Sequence, residues 1–146
     1  MRPSPASPPP RLVAARKLVI ALRALTSDGL GAPQARAALE AGFGAAAGRV
    51  LVALQLYLAR VAGGAQRRVL LARPCCPCLS PDEAALIDAA ARVSAGDWTG
   101  AHAALDGLVR PEAAEAVVSA AAALGEAAAD AGLPLPMREG ARARLN

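Results

Sequence analysis

The sequence predicts an all-α protein, a single compact bundle of five or six helices around a central apolar helix, and three observations carry that expectation. Apolar residues make up 55% of the 146, and 40 residues are alanine, which has the highest helix propensity and loses no side-chain entropy in a helix. β-branched residues are few, and no stretch alternates apolar and polar positions for long, as a half-buried strand would. Apolar residues instead recur at helical spacing between glycine and proline breaks. The length suits one domain with a real core and is short for two.

Taken in order, Met1–Pro10 ("MRPSPASPPP") holds five prolines and is expected to be a disordered arm, with the bundle domain spanning 11–136. From Arg11 to Thr26, Leu12, Ala15, Leu18, Val19, Leu22 and Leu25 form an apolar stripe, with Arg16 and Arg23 on one polar edge. "SDGLGAP" breaks that helix, and a short one follows over Pro33–Ala41, with proline near its first turn. Arg49–Ala62 ("RVLVALQLYLARVA") is apolar nearly all round, as expected of a central helix with neighbours on several sides. "VLLA" at 69–72 is too short for periodicity to assign. "SPDEAALIDAAARV" has Ser80 as N-cap, Pro81 at the first helical position and Glu83 three residues after the cap, a capping box. Asp97 caps a further helix in "WTGAHAALDGLV", with Trp98, Ala101, Leu105 and Leu108 as the inward stripe and His102 at its margin. Pro111 opens the last long helix, whose inner stripe is Val117, Ala121, Leu124 and Ala128. Residues 137–146 read as a flexible basic tail.

Charge is distributed unevenly. Residues 1–73 carry eleven Arg/Lys and two acids, a net +9, while 74–146 carry five Arg and ten acids, a net −5. The favoured reading is that the two halves pack with complementary edges. Nucleic-acid binding is disfavoured, because the arginines are scattered and only three aromatics (Phe43, Tyr57, Trp98) are available to stack on bases. No export signal is legible in Met1–Pro10. The apolar run Val50–Val61 is about half the length of a membrane span, interrupted by Gln55 and Arg60, so no span and a cytoplasmic location are expected.

The chemistry-bearing residues cluster in "RPCCPCLSPDE". Cys75, Cys76 and Cys78 include a CxxC spacing, and with His102, the single histidine, they could supply a three-cysteine, one-histidine zinc set. A thiol just ahead of a helix N-terminus also lies near the positive end of the helix dipole, which favours a thiolate and gives a redox alternative. Against both stands cysteine as a small hydrophobe at a proline-stiffened junction, which is the preferred reading. Without zinc at this cluster, no cofactor is expected. Serine nucleophiles, phosphate-binding glycine loops and paired catalytic carboxylates are not legible, and "GLGAP" and "GFG" follow no strand. "GDWTGAHAAL" is similar to the second helix of a tetratricopeptide repeat, but no second copy accompanies it.

The stretches "RVLVALQLYLARVA", "RPCCPCLSPDEAALI", "AHAALDGLV" and "SAAAALGEAAADAGLPL" resemble a family of small uncharacterised helical proteins of α-proteobacteria, the sphingomonad group especially, over about Leu12 to Leu135. The most specific element of the resemblance is Cys-Cys-Pro followed by a capped helix of the form Ser/Thr-x-x-Glu-Ala. It implies a fold class and a bacterial origin, and no activity. In that family the residue after Cys-Cys-Pro is usually not cysteine, so Cys78 is a departure, and Cys75 and Cys76 carry the match. The sequence thus points to a non-enzymatic protein that binds a protein partner or itself, with a thiol or zinc centre at the cysteines as the alternative.

Overall fold

A computed structural model describes residues 7–73 and 76–137. The fold is all-α, with six α-helices among the described residues: α1 (Pro10–Asp28), α2 (Pro33–Phe43), α3 (Ala47–Gly64), α4 (Pro81–Ser94), α5 (Trp98–Ala104) and α6 (Ala114–Asp130). Short 3-10 turns at Gly44–Ala46 and Pro111–Ala113 lead into α3 and α6. The helix expected from Arg11 starts at Pro10, so the expected arm keeps only residues before it, and Met1–Ala6 lie outside the described residues, as do 138–146 of the expected tail.

Helix α1 packs on α2, α3 on α2 and α6, and α4 on α5 and α6. The core is built from Leu18, Leu22, Leu39, Leu54, Tyr57, Leu86, Leu105, Leu124 and many alanines. Small residues set how closely the axes approach. A Cβ on Gly125 of α6 would lie 2.6 Å from Ser94 Cβ of α4, and one on Gly42 of α2 would lie 2.8 Å from Lys17 Cβ of α1. Both are closer than packed carbons come, so each crossing needs its glycine.

Helix α3 takes neighbours on several sides, and Tyr57 ties it to α4 by donating its hydroxyl to Leu86 O at 2.7 Å. Burial disfavours its phenolate first, and the charge of Asp88 adds to this, so the Tyr57 pKa is pushed up. The outer strip of α3 still shows Val52 and Leu56 to solvent. The run Pro33–Gly64 is, by length and composition, apolar enough to cross a membrane, beyond the dozen residues the sequence suggested. It is divided by the 3-10 turn, and 44% of its most apolar window is buried in the protein.

Two differences from the sequence reading concern the C-terminal half. The helix after Asp97 stops at Ala104, because Leu105–Val109 turns back through Gly107 at φ +81°, which glycine adopts readily. Trp98 is not part of its inward stripe. It sits in the first turn, 48% exposed, while Ala101, Leu105 and Leu108 are buried as expected. Val109 forms an isolated antiparallel bridge to Ala65, and Arg110 donates its guanidinium to Gly63 O and Ala65 O, satisfying carbonyls at the end of α3.

Candidate functional site

Between α3 and α4 the described residues 65–73 and 76–80 form neither helix nor strand, a long connection, and side chains of α1 and α4 hold it. "VLLA" within it is irregular, with Val69 and Leu71 partly buried against the core. The capping box at α4 forms as the sequence predicts. Ser80 Oγ accepts from Glu83 N at 3.0 Å, and Glu83 Oε1 accepts from Ser80 N at 2.8 Å. The same cap then ties down the loop, because Ser80 Oγ donates to Leu70 O at 2.7 Å. Asp82 Oδ2 accepts from Leu70 N at 2.7 Å, and the Asp82 carboxylate takes a bidentate pair from Arg67 at 2.9 and 2.7 Å. The Arg67 hydrogen bonds hold the Asp82 pKa below the usual carboxylate range despite some burial.

Arg23, like Trp98, lies on the opposite side of the surface from where the sequence placed it. It was expected on a polar edge beside Arg16, but it is 5% exposed and points inward to Glu83, which is fully buried. Its Nε donates to Glu83 Oε2 at 2.7 Å and one terminal nitrogen to Glu83 Oε1 at 3.0 Å. Its terminal nitrogens also donate to Cys76 O at 2.7 Å and Cys78 O at 2.9 Å. A buried charge is tolerated only when paired and hydrogen-bonded, and here the loop carbonyls add two hydrogen bonds to the pair with Glu83. For Glu83, burial opposes ionisation, but hydrogen bonds from Arg23 and from the Ser80 and Ala72 N–H groups, with the Arg23 charge, outweigh it and lower its pKa. The partner lies 60 positions away in sequence, so no local spacing signals the pair.

The cysteine loop is therefore held by its backbone. Cys76 is half-buried and Cys78 exposed, both as free thiols, while Cys75 lies outside the described residues. His102 is exposed on α5. Among the described residues no three His, Cys, Asp or Glu side chains come together as a metal-binding group, so Cys76, Cys78 and His102 do not form one.

What the clamped loop does form is one wall of an open groove of about 550 Å³. The other walls are the α1 face from Leu12 through Val19 and Ile20 to Arg23, Ile87 of α4, and Pro136. Leu12 (38% exposed), Ile20 (42%) and Leu79 (46%) open their apolar surface to it. Arg16 lines it, exposed and without an ion pair among the described residues, whereas Arg23 in its floor is neutralised by Glu83. Sequence reasoning did not identify this groove. The available signal was that Leu12, Ala15, Val19 and Ile20 widen the α1 stripe beyond what one neighbour covers.

The chain matches no protein-family model, no curated protein and no solved structure.

Proposed function

We propose that the protein acts by binding a protein partner and not by catalysis, and that the groove beside the cysteine loop is the binding surface. The observation that supports this reading is the groove's construction: apolar walls on three elements around a guanidinium whose charge is already consumed. Such a trough offers area and shape to a ligand, and the one thiol in its lining, Cys76, has no acid or base beside it in the groove. A bacterial origin belongs to the same proposal, on the strength of the resemblance carried by Cys75, Cys76 and the capped helix, and so does a cytoplasmic location, which rests on the clustered cysteines read as reduced thiols.

The test is dye binding to the intact chain. An anilinonaphthalene sulfonate is expected to bind saturably, and Ile20→Asp to weaken it by about tenfold or more while the thermal midpoint stays put, because Ile20 is already half in solvent. Dye binding that is absent, or indifferent to Ile20→Asp, would remove the groove as the site. Elemental analysis of protein purified without chelator separates the other class of function: zinc near one equivalent per chain would transfer the role to Cys75, Cys76, Cys78 and His102.

A further inference from the structure

Resting on that reading, we infer that the groove's occupant is an amphipathic helix of another protein carrying acidic residues along one flank. The groove follows α1 from Leu12 to Arg23, twelve residues, whose Cα atoms span about 16 Å or three helical turns. Leu12, Ala15, Val19, Ile20, Leu79 and Ile87 present apolar surface along that length, the form in which a helix lays its own apolar face into a trough.

Charge selects among such helices. No acidic side chain lines the groove, and Arg16 projects into it without an ion pair. Arg11 and Lys17, on the same helix, also have none among the described residues. Other basic residues of the first half are spent inside the molecule, where Arg23, Arg49 and Arg67 pair with Glu83, Asp130 and Asp82. Arg36, Arg60, Arg68 and Arg73 have no ion pair among the described residues either, but they do not line the groove; Arg16 does, and it attracts an acidic flank and repels a basic one.

Two nearer occupants fit less well. The chain beyond Pro136 runs on through Arg138, Arg142 and Arg144 with one acid, Glu139, so its net charge is of the same sign as Arg16. A second copy would have to offer an acidic helix with a free apolar face. The acids Glu115, Glu126 and Asp130 stand on α6, whose apolar stripe of Val117, Ala121, Leu124 and Ala128 is buried in its own core.

Fluorescence anisotropy with the full chain tests this, using labelled peptides about eighteen residues long, or five turns, one of Leu and Glu, one of Leu and Lys, and one of Ser and Glu. The Leu/Glu peptide is expected to bind about tenfold tighter than the Leu/Lys peptide, with the gap closing at high salt, and the Ser/Glu peptide not to bind. Arg16→Glu, at an exposed position, is expected to reverse the preference, and Ile20→Asp to abolish binding of both leucine peptides. Equal binding of those two peptides, unmoved by Arg16→Glu but lost in Ile20→Asp, overturns the acidic partner and leaves the groove reading standing. Peptide binding that ignores Ile20→Asp overturns both. If neither leucine peptide binds and sedimentation shows a concentration-dependent dimer that Ile20→Asp dissolves, the occupant is a second copy and the inference fails.

Discussion

Arg23 and Glu83 are the residues on which the loop, the cap of α4 and the groove floor all depend. Removing one partner of a buried ion pair leaves the other charged and unpaired, which costs about 3–5 kcal/mol. Glu83→Gln is expected to cost that much in chemical denaturation, a large share of the total stability of a domain this size. The double variant Arg23→Met, Glu83→Gln should recover part of the loss, because no unpaired charge remains; a double variant no better than the single would show that the pair is not the cause. The pH dependence follows from the same groups. Glu83 and Asp82 have pKa values lowered on folding, so their contribution is full above the ordinary carboxylate range near pH 4 and is lost as pH falls through the folded values. Tyr57 is raised, so its contribution is full below its ordinary value near pH 10 and is lost above it. Stability measured across pH should therefore fall at both ends, and Glu83→Gln should flatten the acid limb.

At the scale of elements, glycine has two different uses in these helices. Gly125 sits where α6 crosses α4, so Gly125→Ala is expected to cost about 1–3 kcal/mol by forcing the helices apart. Gly48, in the first turn of α3, has nothing near an added Cβ, and Gly48→Ala should stabilise by about 0.5–1 kcal/mol through helix propensity alone. Thermal or denaturant unfolding of the two variants should move in opposite directions. The same local physics explains what could be read in advance. The start of α4 was legible because a capping box is a four-residue device, complete in Ser80–Glu83. The break after α1 was legible because "DGLGAP" carries its own turn residues, and Gly29 there takes φ +98°. Trp98 was misplaced because it occupies the first turn of a seven-residue helix, which holds only two of the stripe positions, Trp98 and Ala101, too few to fix a buried face.

For the whole molecule, the all-α bundle was legible because composition and periodicity are summed over many residues, and the groove was not, because it exists only once α1, α4, the loop and Pro136 meet. The uneven charge along the chain was read as complementary packing of the two halves, and three ion pairs join them: Arg23–Glu83, Arg49–Asp130 and Arg67–Asp82. The pair at Arg49 and Asp130 is exposed on both sides and adds little, so the buried one carries the effect. The central claim is that the cysteine stretch serves as a wall of a binding groove, gripped through the carbonyls of Cys76 and Cys78, and not as a centre of thiol chemistry. The most direct test compares the triple variant Cys75→Ser, Cys76→Ser, Cys78→Ser with Arg23→Met, measuring the unfolding midpoint and Leu/Glu peptide affinity of each. The triple variant should keep both close to the parent's, within about twofold in affinity, while Arg23→Met loses stability and binding together. A triple variant that loses binding, beside an Arg23→Met that keeps it, would contradict the claim.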